Sequence, residues 1–117
     1  MLFPLGEQII KKFVDEAENE TLKLEHAMSS LNTRKKVVIL HYSPIKETII
    51  GEPPEIQTFL GSDRLLRPIE NLGTSIVFHG HSHHGTVHGK TMQGIPVYNV
   101  AFSLLESKNK PYLLIDL

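Results

Sequence analysis

Two short apolar runs, Val37-Val38-Ile39-Leu40 and Ile76-Val77-Phe78, each lead straight into a histidine, and they constrain this chain more than any other feature. The first is β-branched and unalternated. That pattern predicts a fully buried strand over residues 37–41, because a strand covered on both faces has no polar side to display, as inside parallel sheets. The second predicts a strand over residues 75–79. His41 and His79 therefore stand at strand ends, and open α/β sheets place their ligands outside the carboxyl ends of strands.

The rest of the chain supplies cover for those strands. Ile10, Val14, Ala17, Thr21, Leu24, Met28 and Leu31 recur in steps of four and three, which predicts one amphipathic helix over residues 7–31. Ile9, Phe13 and Ala27 widen its stripe. About three heptads is the minimum for a coiled coil, so the simpler reading is a helix laid on a sheet. Residues 32–36 read as a polar turn, and Pro44 ends the first strand. Residues 44–62 have weak periodicity and contain Gly51 and Pro53-Pro54; structureless segments of this length often serve as lids or binding loops. A second helix is predicted over 63–72, with Ser62 as N-cap, Gly73 just past its end and a kink or restart at Pro68. Residues 85–92 and 95–102 read as a hairpin turning at Gln93-Gly94, and residues 112–116 as a closing strand entered through Pro111. The expected fold is a single domain over residues 1–117, α/β passing into antiparallel β (α+β), with a long N-terminal helix and a mixed sheet.

Bulk properties exclude several functions. A chain of 117 residues is long enough for one core. A formal net charge of -1 offers no field to attract nucleic acid or an anionic membrane. The absence of cysteine removes disulfides, thiolate zinc sites and iron–sulfur clusters. No apolar stretch approaches the roughly 20 residues of a membrane span, and residues 1–6 lack the basic and apolar regions of a signal peptide. A cytoplasmic protein is the expectation.

Five of the seven histidines, His79, His81, His83, His84 and His88, lie within ten residues, and that concentration points to metal ligation. Neutral imidazole is the commonest metal-ligating side chain. His81 and His83 differ by two positions, so in extended backbone their rings project to one side. Gly80 and Gly85 bracket them and permit tight backbone angles. With His41 the two could enter one cleft, at one metal or at two adjacent ones. Three imidazoles and an open position describe a catalytic zinc centre, whereas phosphoryl chemistry favours two cations about 3.5–4 Å apart. His79, His84 and His88 read as supporting or merely polar residues, and His26 as an ordinary surface histidine.

The stretch Val37-Val38-Ile39-Leu40-His41-Tyr42-Ser43-Pro44, taken with Ile76-Val77-Phe78-His79-Gly80-His81-Ser82-His83, resembles the C-terminal half of the calcineurin-like metallophosphoesterases. The resemblance runs from about residue 22 to the end. It implies half of a two-sheet sandwich with helices outside, acting on phosphoesters with divalent transition metals (Mn, Fe or Zn). It places His41 and His81 on one metal and His83 on the other, with His79, His84 and Asn99 behind them or toward the substrate. The family's upstream motifs, Asp-x-His, Gly-Asp-x-x-Asp and Gly-Asn-His-Asp/Glu, are absent from this sequence. The acids before His41 are Glu7, Asp15, Glu16, Glu18, Glu20 and Glu25, all on the predicted helix.

Two expectations follow. The chain contributes metal ligands but is inactive alone, either as part of an enzyme or as a non-catalytic metal-binding or oligomerisation module. Its inner sheet face, rich in Val, Ile and Phe, seeks a partner, a second copy of the chain or a separate N-terminal half.

Overall fold

The computed structural model describes residues 4–117; residues 1–3, part of the start read above as lacking a signal peptide, lie outside the described residues. Helix α1 spans Pro4–Ser29. Ala17, Thr21 and Met28 of its stripe are buried, and Val14 and Leu24 are half-buried. Thr21 tolerates that position because its hydroxyl donates back to the Ala17 carbonyl at 2.8 Å, satisfying the group within the helix. The stripe is narrower than predicted. Ile9 and Leu31 are exposed, as is Ala27, because the helix meets the remainder along one line through Phe13, Ala17, Thr21, Leu24 and Met28.

Four strands form one mixed sheet: β1 (Val37–Leu40), β2 (Ile76–His79), β3 (His88–Lys90) and β4 (Pro96–Asn99), in the order β1-β2-β4-β3. β1 pairs parallel to β2 and β2 parallel to β4, while β3 closes the far edge antiparallel to β4. The fold is thus mixed α+β, with a long N-terminal helix and a four-stranded mixed sheet. Between β1 and β2 the chain makes 3₁₀ turns at Glu47–Ile49, Pro54–Phe59 and Asp63–Leu65, the last running into helix α2 (Leu66–Asn71). Ser62 caps that entry, its Oγ accepting from the Arg64 N–H at 3.3 Å. Pro68 falls in the first turn of α2, where its missing N–H costs nothing. The restart expected at this proline is the switch from 3₁₀ to α just ahead of it. Lys36, in the polar turn, reaches the Leu72 carbonyl at 2.8 Å and the Met28 carbonyl at 3.4 Å. One ammonium thereby ties the carboxyl ends of two helices, where a cation is favoured.

Strand alternation divides the sheet into unlike faces. Val38, Val77 and Val97 point to the covered face and pack with Met28, Leu65 and Ile69, flanked by Leu24, Leu40 and Leu72. The other face carries Ile39, Phe78, Tyr98 and His88 side by side in register. Ile39 is 79% exposed, Phe78 and Tyr98 are half-buried, and the Phe78–Tyr98 and Tyr98–His88 rings stack at 5.9 and 4.7 Å.

Four expectations are corrected. β1 is not fully buried: as an edge strand it leaves Val37 and Ile39 exposed and buries Val38 alone. Residues 112–116 form no strand: Leu113 and Ile115 are half-buried, alternating with exposed neighbours, and Ile115 and Leu117 lie beside Ile76, Pro96 and Tyr98 on the second face. The segment makes no ladder hydrogen bonds. β4 ends at Asn99 rather than 102, because Phe102–Ser107 winds into a short helix, α3. The Asn99 side chain starts this change by accepting the Ala101 N–H at 3.1 Å. Residues 44–62 are not a free lid, since Thr48, Ile49, Glu52 and Leu60 are buried and Ser43 bridges to the far end through Leu60 and Ser62 at 3.0 and 2.8 Å. No helix among the described residues is long and apolar enough to cross a membrane.

Candidate functional site

Parallel pairing brings the carboxyl ends of β1, β2 and β4 together, with Leu40 opposite His79 and His79 opposite Asn99. The chain leaves β1 at His41 and β2 at Gly80-His81, so both histidines emerge at the same edge. Their ring centroids are 4.4 Å apart with planes tilted by 36°. Tyr42 stands edge-on to both, at 4.9 Å from His41 and 5.5 Å from His81, and Phe13 of α1 backs Tyr42 at 5.1 Å. His41 is exposed and His81 half-buried. The two imidazoles form an accessible pair on an aromatic floor.

His81 has a φ of +68°, and the Ser82 N–H donates across it to the Gly80 carbonyl at 2.8 Å. A positive φ under a bond spanning two residues defines the rarer, strained form of γ-turn. The glycines serve otherwise than expected. Neither Gly80 nor Gly85 has a positive φ, so the unusual angle falls on the histidine itself. Gly85 is required for space, because a Cβ there would collide with the Thr48 carbonyl oxygen and Ser82 Oγ.

A buried polar scaffold holds this turn. His79 is 1% exposed. Its Nδ1–H donates to the Gly80 carbonyl at 2.8 Å, which leaves Nε2 to accept from the Thr48 hydroxyl at 2.7 Å. Thr48 in turn meets Ser43 Oγ at 2.7 Å. Asn99 is fully buried and donates to the Ser82 and Thr48 carbonyls at 2.8 and 3.2 Å. His79 and Asn99 thus sit where no substrate reaches them, and they position the turn. Burial, more than the nearby His41 and His81, holds the His79 pKa below its ordinary value, against the Gly80 hydrogen bond. Burial and then His41 do the same for His81. Both are neutral at neutral pH, the form in which imidazole binds metal.

His83 and His84 are exposed, and His88 stacks on Tyr98 on the uncovered face. His26 is exposed in the last turn of α1. With metal–nitrogen bonds of about 2.0 Å, two imidazoles on one tetrahedral metal have ring centres about 5 Å apart, and the His41–His81 centroids are closer, at 4.4 Å. Among the described residues no three imidazoles or carboxylates converge on one point. Two ligands are one short of the three usual at catalytic zinc. Two imidazoles alone do not make up a metal site.

Sequence reasoning missed the roles of Ser43, just after the first strand, and of Thr48 and Glu52, which lie in the weakly periodic segment. Glu52 is only 6% exposed, and its carboxylate accepts the backbone N–H of His84. A signal was present: an acid locked between Gly51 and Pro53-Pro54 cannot lie on a solvated helix face, unlike every acid before His41. Comparison of the chain with family models, curated proteins and solved structures finds no match in any of the three.

Proposed function

We propose that this chain supplies His41 and His81 to a divalent transition-metal site of metallophosphoesterase type, whose remaining ligands come from outside the residues described here. The observation that carries the reading is the close approach of two imidazoles, 4.4 Å apart, from the ends of adjacent parallel strands. Supporting it, His81 occupies a backbone conformation that disfavours a side chain, and such strain concentrates at functional sites. The resemblance of the two histidine segments to that family gives the reaction class, phosphoester hydrolysis, with Mn, Fe or Zn as the metal. His83, exposed on the same turn, is the candidate ligand to a second ion.

The reading includes a partner. The row Ile39, Phe78 and Tyr98 beside this edge is the surface on which a second copy, or a separate chain with the missing ligands, docks. The alternative is a metal-binding or oligomerising module without catalysis, and the lack of a third converging ligand favours it for the chain alone. Hydrolysis of an aryl phosphate with Mn²⁺ separates the two. The enzyme reading predicts no turnover by the chain alone and turnover once the missing ligands are supplied. Turnover by the isolated chain that survives His41→Ala/His81→Ala refutes both.

A further inference from the structure

The two edges of the sheet, β1 and β3, are built differently. β3 is three residues long and shows His88 and Lys90 to solvent. Shortness and a lysine are devices by which proteins blunt an edge against pairing. β1 has neither, being four apolar residues without charge or proline. The Gly80 N–H donates to the Leu40 carbonyl at 3.3 Å and the Ser75 N–H to the Lys36 carbonyl at 2.8 Å, so the even positions of β1 turn toward β2. By alternation, Val37 and Ile39 turn their N–H and C=O groups away from the sheet. Among the described residues no other segment meets those groups, whereas Ser43, just beyond the strand, is already engaged by Leu60 and Ser62. The same two residues carry exposed side chains, Val37 at 40% and Ile39 at 79%.

We propose that β1 pairs antiparallel with β1 of a second copy of this chain, about a two-fold axis at Val38, joining two four-stranded sheets into one. In that register Val37 of each copy faces Ile39 of the other, and the outward N–H and C=O groups of both residues are satisfied. Their exposed side chains then pack on each other along the uncovered face. One patch complements itself, as an isologous two-fold contact requires. Charge selects the same direction. Arg34-Lys35-Lys36 precede the strand; a parallel partner copy would set these basic runs side by side, and an antiparallel one sends them to opposite ends. The junction is short, so the dimer is weak and concentration-dependent. The proposal deepens the second-copy form of the partner reading above and does not depend on the metal.

The chain has no cysteine, so single cysteines report the register. Facing residues of a hydrogen-bonded antiparallel pair lie about 5.5 Å apart at Cα, within disulfide reach, and residues two positions out of register are beyond it. Val37→Cys and Ile39→Cys chains, both changed at exposed positions, are equilibrated in a glutathione redox buffer, separately and mixed. The expected product is a disulfide joining one chain of each kind, about tenfold or more in excess over links within either variant alone. No such product, or equal linkage within a single variant, overturns the register. Amide exchange of the wild type needs no substitution: the Val37 and Ile39 N–H groups should be protected at high protein concentration and unprotected at low. A dimer that leaves both amides unprotected removes edge pairing and keeps only docking through the face, and a monomer at every concentration removes both. Dimerisation unchanged in His41→Ala/His81→Ala is expected; its loss there ties the contact to the histidine site and refutes the proposal.

Discussion

Replacing His81 by alanine and by glycine tests whether strain is retained at this position for the sake of its side chain. Both variants lose the imidazole and its contacts with His41 and Tyr42, so the difference between them isolates the backbone. At a φ of +68°, a Cβ costs about 1–2 kcal/mol that glycine avoids. Glycine gives back about 0.4–1 kcal/mol through the greater freedom of its unfolded chain. The glycine variant should therefore be the more stable by about 0.5–1 kcal/mol, the reverse of the usual order. For a domain of this size that is a difference in melting temperature of about 2–4 °C, readable by circular dichroism on metal-free protein. Neither variant should bind Co²⁺ as the wild type does. An alanine variant as stable as the glycine variant would falsify the strained turn.

Three other outcomes follow from the same geometry. Gly85→Ala forces a Cβ onto the Thr48 carbonyl and Ser82 Oγ; it should cost about 2–3 kcal/mol in urea unfolding, and a loss under 0.5 kcal/mol contradicts the packing. The metal-free protein should lose stability as pH falls. The native His79 and His81 pKa values lie below the ordinary 6.5, so below about pH 6.5 the unfolded chain binds the more protons. The stabilisation is complete above 6.5 and is lost on descent toward the native values, giving a lower urea midpoint at pH 5.5 than at 7.5. His79→Asn should flatten that dependence, and an unchanged slope would count against it. Ile39→Glu, at a side chain 79% exposed, should shift the monomer's stability by no more than about 0.5 kcal/mol yet abolish self-association through the uncovered face. Sedimentation unaffected by the change removes that face from the account.

Elements whose burial follows a simple period were legible in the sequence. The α1 stripe, the positions of the two histidine-ended strands and the hairpin turn at Gly94 each express one local rule, whereas the unalternated run of β1 did not show that its edge leaves Val37 and Ile39 exposed. The juxtaposition of His41 with His81 was also legible, because adjacent strands ending in histidine deliver them to one edge. What local pattern could not show is tertiary. Residues 112–116 alternate like a strand but lie where no strand edge is offered, so the alternation records contact with a sheet face instead. Thr48, Glu52 and Gly85 owe their roles to a strap closed between segments more than thirty residues apart. Gly85 looked like a source of backbone freedom, and only the packing reveals it as a space requirement. His79 looked like one more candidate ligand until its two ring nitrogens were found engaged within the fold.

The central claim is that His41 and His81 act as a pair on one metal ion, and the most direct measurement is the bound-metal content of protein purified without a histidine tag. Wild type and His41→Ala/His81→Ala/His83→Ala are equilibrated with the same limiting Zn²⁺, exchanged into metal-free buffer and assayed by atomic emission. The account predicts zinc retained by the wild type and absent from the triple variant, with His83→Ala alone keeping most of it. Equal zinc in wild type and triple variant, or none in either, contradicts the claim.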